Sequence, residues 1–450
     1  MDPKKPTQIS RRSFLKLAGV ASASGLLAAC AKAASELDSP TALPVGKEVL
    51  TSPPSTQPVT IRYGRHDAID GDVQNIKDFI AQYPHITVEQ ELIADFDSKI
   101  PALAAAGTLP DVVRSWESMD LEMGRNGQFI DLQPYVDSQK DFNPQDFYEN
   151  WWNYPVLAGK RFGIPDVAAP HMTFYNEDLF NARDIELPDP ANFTWDDFAQ
   201  KARALSDPVN KTWGSETIPV GWTYFTLKQV WQNGGDFFSP DYLTCVVDQP
   251  AAIEAVQFWA DLLLEGNVMP SPSQIADMGG TNVAAELFSA GRLGMQRMGI
   301  WITQVCIDAG FKWNIAPEPK KTRMDTIQHG AFNAVSTSSK NKDQAWLWVN
   351  HHCSTQGIFN YATLGKFPGA RRSTNELTPH PWEADLDFEV NWDLIPQSLE
   401  YAHVLPGPAH ESEALKVIDD ALQKIYAGEA KAADILPGIA KQATAIISAD

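Results

Sequence analysis

The sequence predicts an α/β fold in which helices pack against a sheet of parallel strands. Strand-like and helix-like segments alternate along the chain, which is the pattern of repeated β–α units. A hydrophobic fraction of 44% and 14 tryptophans indicate a packed globular protein. A chain of 450 residues is too long for one small core, so two or three domains are expected.

The first elements of the body show this alternation in order. Residues 59–63 are typical of a strand, and the apolar spacing that follows predicts a helix that ends at Pro84. Residues 86–92 alternate as a second strand. A helix closed by Gly107 and a buried strand, "DVVRSW", come next. Later helices are predicted at "WDDFAQKARALS", "AAIEAVQFWADLLLEG", "NKDQAWLWVNHHC" and "SEALKVIDDALQKIYAG".

The chain begins with the features of an export signal. Arg11 and Arg12 precede a short apolar run that closes on "LAAC". A spanning helix needs about 20 apolar residues, so this run is too short for a permanent anchor. "SRRSFLK" resembles a twin-arginine export signal, and "LAAC" resembles a bacterial lipobox. These resemblances imply that residues 1–29 are removed and that Cys30 carries a lipid.

The segment after Cys30 has a different composition. Residues 30–58 are rich in Ala, Ser, Thr and Pro and predict a flexible tether. The expected location is therefore extracytoplasmic, with the body held at the cell membrane by the lipid on Cys30.

Charge and cysteine content exclude several function classes. The net charge is −21, which disfavours nucleic acid and anionic membrane surfaces as partners. Four cysteines are too few for a disulfide framework. One bridge among Cys245, Cys306 and Cys353 stays open beside three small buried residues. No spacing typical of a metal site, nucleotide loop or catalytic nucleophile is found, so no cofactor, metal or catalytic residue is expected.

The order of short motifs resembles a known family. "IPALAAAGTLPDVV", "GKRFGIPDVAAPHMTFYNEDLF", "AAELFSAGRLGMQRMGIWIT" and "LGKFPGARRS" occur in succession. Together with four further motifs they resemble the extracellular solute-binding proteins of ABC importers, in the family that includes maltose-binding protein. The resemblance covers residues 59–450.

This resemblance implies a two-lobed periplasmic-binding-protein fold of type II with the ligand between the lobes. Three chain crossings are expected, near residues 165–173, 330–332 and 381–392. The implied boundaries are residues 59–167 with 332–385 for the N-terminal lobe and 168–331 with 386–450 for the C-terminal lobe.

The resemblance also points to ligand-binding residues in the cleft loops. Sugar sites combine flat aromatic rings with acids, amides and arginine. The candidates are Trp301, Trp116, Glu117, Trp222, Tyr224, Asp67, His66, Phe332, Asn333 and Arg371. Near the C-terminus the cleft aromatic of maltose-binding protein is replaced by His410, Glu411 and Glu413. A monosaccharide, small oligosaccharide or other polyol is therefore favoured over a maltodextrin.

The implied function is that of a monomeric, non-enzymatic component that delivers a sugar to an ABC permease. Alternatives stay open. A polyamine would suit acids with aromatics, and a glycerol phosphate ester would need convergent cations. An exported enzyme acting on glycosides would need a pair of carboxylates about 5–9 Å apart. A purely structural surface lipoprotein is the last alternative.

Overall fold

The structure is a computed structural model that describes residues 57–218, 223–278, 283–405, 407–408 and 410–449. The export signal, Arg11 and Arg12 within it, Cys30 and Trp222 lie outside these residues, as does the tether up to residue 56. The described residues all belong to one compact unit. Within them, no helix is long and apolar enough to span a membrane.

Strands and helices alternate along the described chain. The strands are β1 (Val59–Arg65), β2 (Ile86–Leu92), β3 (Val112–Trp116), β4 (Val156–Leu157), β5 (Lys160–Arg161), β6 (Ile164–Asn176), β7 (Trp213–Ser215), β8 (Leu293–Gly299), β9 (Trp313–Ala316) and β10 (Gln328–Val335).

The helices cover this sheet. They are α1 (Asp70–Gln82), α2 (Phe96–Ala105), α3 (Glu117–Arg125), α4 (Gln133–Ser138), α5 (Glu149–Asn153), α6 (Glu177–Ala182), α7 (Trp195–Leu205), α8 (Thr223–Gln232), α9 (Pro250–Leu264), α10 (Pro272–Asp277), α11 (Val283–Ser289), α12 (Thr303–Ile307), α13 (Lys342–His352), α14 (Thr355–Gly365), α15 (Arg372–Asn375), α16 (Leu394–Leu399), α17 (Glu411–Tyr426) and α18 (Ala432–Ile447).

Eight strands form one mixed sheet in the order β2-β1-β3-β10-β6-β8-β7, and β9 also pairs with β6. The predicted parallel pairing is confirmed for β1 with β2, β1 with β3 and β7 with β8. By contrast, β6 and β10 run antiparallel to each other, and each is antiparallel to its outer neighbour. We call β1–β3 and their helices the first half, and β7–β9 and their helices the second half.

Two central strands, β6 and β10, connect the two halves. All 13 residues of β6 are buried. The predicted first crossing falls on β6 and the second on β10, whose register shifts between Ala331 and Phe332. Gly330 is required here, because a Cβ would lie 2.2 Å from the carbonyl oxygen of Val167. The third predicted crossing coincides with an irregular segment that buries Trp382 and Trp392.

Each half has its own apolar core. In the first half, β1 and β2 pack with Trp346 and Trp348 of α13. In the second, Trp195 and Trp259 lie among α7, α9, α17 and α18. All four tryptophans are fully buried. The thiols of Cys245, Cys306 and Cys353 are unpaired and buried, so the bridge left open above is not formed.

A buried ion network joins the first half to β6. Arg114 Nε donates to Asp166 Oδ2 at 2.6 Å, and His352 Nε2 lies 3.1 Å from the same oxygen. Asn333 Nδ2 also donates to it at 3.1 Å. Burial opposes ionisation of Asp166, but the charge of Arg114 and the bond from His352 hold its pKa below the ordinary value. Removing the carboxylate would leave a buried guanidinium without its counter-charge.

We predict that Asp166→Ala lowers the free energy of unfolding by about 3–5 kcal/mol, because one partner of a buried pair is lost. Urea denaturation of the mature protein measures the change. The matched control is Asp420→Ala, which breaks the exposed i,i+4 pair with Lys416 and is expected to cost less than about 1 kcal/mol. Equal losses in the two variants would contradict the structural role of Asp166.

Candidate functional site

A cavity of about 690 Å³ lies between the two halves, with the central strands as its floor. The ends of β1 and β3 supply one wall, and residues near α8 and β8 supply the other. Its lining residues include His66, Asp67, Asp97, Arg114, Trp116, Glu117, Ser118, Val167, Ala169, Tyr224, Trp301, His329, Gly330, Ala331, Tyr361, Phe367 and Leu405. Strand ends of α/β sheets are the usual position for a ligand site.

Trp301 follows β8 and enters the cavity from the second half. Its indole packs edge-on against His171 at 5.3 Å and against His329 at 5.6 Å. Gly299 makes this position accessible, because a Cβ there would lie 1.8 Å from the indole ring. Contacts with β6 and β10 therefore fix the orientation of the ring beside the cavity.

Glu117 and His329 form a hydrogen-bonded pair across the cavity floor. Glu117 is the first residue of α3, and His329 belongs to β10. His329 Nδ1 lies 2.5 Å from Glu117 Oε1. The Glu117 side chain is only 4% exposed. The His329 ring also contacts Tyr224 of the second half at 6.0 Å between centroids. His329 thus touches groups from both halves.

A buried basic pair, Lys228 and His171, lies beside this floor. Lys228 Nζ lies 3.1 Å from His171 Nδ1 and 2.7 Å from Glu318 Oε1. All three side chains are fully or nearly fully buried. Burial and the neighbouring Lys228 lower the pKa of His171 well below its ordinary value. The imidazole of His171 is therefore neutral at pH 7, and its ring can serve as a packing surface for Trp301.

The wall of the first half carries two further carboxylates. Asp67 accepts from Arg65 at 2.7 Å. Burial opposes its ionisation, but the bond from His66 and the charges of Arg65 and Arg114 lower the pKa of Asp67 below its ordinary value. Asp97 accepts from the Trp116 indole at 2.6 Å. The indole of Trp116 is thereby held at the cavity, 4.2 Å from the His66 ring.

A second cavity of about 910 Å³ adjoins the first. Asp97, Trp116, Ser118 and Tyr224 line both cavities, so the two are parts of one longer cleft. The extension lies between α2 and α3 of the first half and α17 of the second. Its polar lining includes Glu122, Arg125, His410, Glu411, Glu413 and Lys416.

The structure brings six of the ten proposed contact residues together around the first cavity: Trp301, Trp116, Glu117, Tyr224, Asp67 and His66. Trp222 lies outside the described residues. Phe332, Asn333 and Arg371 do not line either cavity, which corrects the expectation that they face the cleft.

These three side chains are committed to packing instead. Phe332 is fully buried against Trp151, 4.5 Å away between centroids. Asn333 bonds Asp166, as described above. Arg371 donates to the carbonyl oxygens of Phe142 at 2.9 Å and Cys353 at 2.8 Å. Their guanidinium, amide and ring surfaces have partners within the fold, so none is presented to a solute.

The sequence interpretation missed His329, Tyr361, Phe367 and Asp97. His329 is one residue before the predicted second crossing, and this neighbourhood could have indicated it. Tyr361 is on α14, Phe367 follows this helix and Asp97 is on α2; no local motif marks their approach to the cleft. Among the described residues, no group of three or more His, Cys, Asp or Glu side chains is placed to hold a metal ion.

Comparisons with known proteins agree with this architecture. The family model for bacterial extracellular solute-binding proteins matches residues 68–354. A Brucella abortus protein, named as a candidate binding protein, is 26% identical over 385 residues. The matched region is 82% of this chain and 88% of that protein.

Two solved structures show the same fold. An ABC substrate-binding protein from Listeria monocytogenes, in complex with cycloalternan, has a TM-score of 0.77 at 24% identity, covering 86% of this chain and 98% of that one. A solute-binding protein from Thermotoga lettingae, bound with α-D-tagatose, has a TM-score of 0.74 at 20% identity, covering 87% of this chain and 100% of that one. The fold is therefore the two-lobed type II fold expected from the sequence.

We predict that His329→Ala lowers the free energy of unfolding by about 1–3 kcal/mol, because it leaves buried Glu117 without a hydrogen-bond partner. Urea denaturation at pH 7 measures the loss. The comparison variant is His329→Gln, whose side-chain amide can donate to Glu117, and it is expected to retain at least half of the lost stability. An alanine variant as stable as the parent would show that the pair contributes nothing.

Proposed function

Because the chain belongs to the family of bacterial extracellular solute-binding proteins, we propose that it captures a sugar and delivers it to an ABC import permease. The solute is a monosaccharide or small oligosaccharide held between the two lobes. The observation that carries this proposal is the cleft itself, in which aromatic rings from both halves and hydrogen-bonding acids from the first half line one cavity.

The composition of the cavity suits a sugar and disfavours a phosphate ester. The faces of Trp301, Trp116 and Tyr224 match the apolar C–H faces of a sugar ring. Asp67 and Glu117 offer acceptors for hydroxyl groups. Arg114 is the one Lys or Arg among the described lining residues of the first cavity, and Asp166 already neutralises it. Convergent cations for a phosphate ester are therefore not supported there.

Capture would proceed by closure of the lobes on the solute. A sugar bound to Trp301 on one side and to Glu117 on the other contacts both halves at once, so it favours the closed arrangement. The permease would then recognise the closed form. No bond in the solute changes in this scheme, and the protein acts as a monomer without catalysis.

The family places the protein outside the cytoplasm. We propose in addition that Arg11 and Arg12 direct twin-arginine export, that Cys30 is lipidated after removal of residues 1–29, and that residues 30–58 tether the body near its permease. The proposed lobes are residues 59–167 with 332–385 and residues 168–331 with 386–450.

We predict that the cognate sugar raises the melting temperature of the mature protein, since a ligand that binds only the native state stabilises it. Trp301→Ala should weaken binding at least tenfold, or about 1.4 kcal/mol, because a stacking surface is lost. A thermal-shift screen across sugars, polyols, polyamines and phosphate esters, followed by calorimetry, measures both effects.

The control is Trp152→Ala, which removes another half-buried tryptophan outside both cavities. Its affinity should match that of the parent protein within about twofold. Unchanged affinity in Trp301→Ala would remove this residue from the site. A response to none of the sugars would overturn the sugar assignment.

We predict that Cys30→Ala abolishes lipid attachment and releases the exported protein from the membrane, because this thiol is the proposed acylation site. Metabolic labelling with a radioactive fatty acid and membrane fractionation measure the two effects. Cys245→Ala serves as the control, because Cys245 is buried in the folded body. Equal labelling of the Cys30→Ala protein would contradict the lipid site.

A further inference from the structure

Three buried oxygens around the cleft lack a partner. Within the described ranges, Glu117 Oε2, Glu411 Oε1 and the Tyr154 hydroxyl make no hydrogen bond. The side chain of Glu117 is nearly fully buried, and Tyr154 is 8% exposed. A buried polar atom without a partner is costly. These atoms therefore indicate a place where a ligand donor is expected.

Glu117 and Glu411 approach this place from opposite halves. Glu117 lines the first cavity, and its sequence neighbours Trp116 and Ser118 line both cavities. Glu411, the first residue of α17, lines the extension. Tyr224 also lines both, which places an aromatic ring beside the junction of the two cavities.

Acidic side chains outnumber basic side chains around Glu411. Burial, opposed by Arg125 and reinforced by Glu117 and Glu122, raises the pKa of Glu411 to about 8. Among the described residues no ion pair joins Arg125 to Glu411, and the Arg125 guanidinium donates to the carbonyl oxygen of Gly407 at 3.2 Å. A cation placed here would relieve the repulsion between carboxylates from the two halves.

We propose that the solute carries a protonated amine that binds between Glu117 and Glu411, so that an amino sugar is preferred over its neutral counterpart. This inference rests on the proposed function and narrows its solute class. An ammonium group supplies three donors to the unpartnered oxygens. Tyr224 and Trp116 beside it offer aromatic faces, which attract cations. Because the two carboxylates belong to different halves, the amine would also favour closure.

Isothermal titration calorimetry with matched disaccharides tests the proposal. The probes are cellobiose, N,N′-diacetylchitobiose and the fully deacetylated chitosan disaccharide, which share one linkage and differ in the group on C2. Glucose, N-acetylglucosamine and glucosamine form the monosaccharide series, and spermidine represents an amine without a sugar ring. We expect the free amine to bind at least tenfold more tightly than its neutral partner.

Charge-neutral variants locate the effect. Glu117→Gln and Glu411→Gln should each reduce the ratio of amino-sugar affinity to neutral-sugar affinity about tenfold. The matched control is Glu429→Gln, which neutralises an exposed glutamate that lines neither cavity and should leave the preference unchanged. Trp301→Ala should weaken neutral and amino sugars alike.

Proton release provides a second readout. The titratable and charged groups around Glu411 come from several elements. They are Glu117, Glu122 and Arg125 of α3, Asp97 of α2, Tyr154 after α5, Tyr224 of α8, Tyr242, and His410, Glu413, Lys416 and Asp419 of its own segment. Binding of an ammonium group at pH 7 favours the ionised carboxylate, so a proton should leave Glu411. Calorimetry in two buffers of different ionisation enthalpy detects it, and Glu411→Gln should abolish it.

The outcomes separate this inference from the function on which it rests. Neutral sugars that bind as tightly as amino sugars would overturn the amine and leave sugar capture standing. Spermidine binding without any sugar would overturn sugar capture and leave recognition of the amine standing. Failure of every amine to bind, or a preference that survives both glutamine variants, would overturn the inference.

Discussion

The pairing of β6 with β10 is the constraint on which the rest of the structure depends. These strands are the only continuous connection between the two halves of the sheet within the described chain. Their register, from Gln328 opposite Pro170 to Asn333 opposite Ile164, places Val167, Ala169, His329 and Gly330 at the cavity floor. Because a buried ladder leaves no backbone group free to move alone, the floor is a rigid base between the two walls.

Contacts between aromatic rings position the walls of the cavity relative to this floor. Trp301 of the second half rests on His171 and His329, one from each central strand. His329 in turn bonds Glu117 of the first half. The residues that would stack on a sugar and bond its hydroxyls are therefore positioned by the same two strands. Beneath them, Arg114 and Asp166 tie β3 to β6, so that the wall of the first half is fixed to the floor by a buried pair.

Local signals in the sequence predicted local structure well. The alternation at residues 86–92 became β2 with the same bounds, and Gly107 and Gly266 follow their helices with φ of 66° and 79°. The family's cleft loops placed Trp301, Trp116 and Glu117 at the cavity. Phe332 and Arg371 were misplaced because a loop motif does not show which side of the backbone faces the cleft. Tyr361 was missed because its approach depends on the packing of α14.

The carboxylates of this chain are of two kinds, exposed and buried, and their energetics differ. Most of the net charge of −21 belongs to the solvated surface, where a carboxylate such as Asp420 is 56% exposed and hydrated. Glu117 is 4% exposed, and water cannot compensate its second oxygen in the same way. Water hydrates a surface acid, whereas a buried acid in a cleft must be neutralised by a proton, a neighbour or a ligand. His329 bonds one oxygen of Glu117, so the other oxygen is the atom expected to determine the specificity of the cleft.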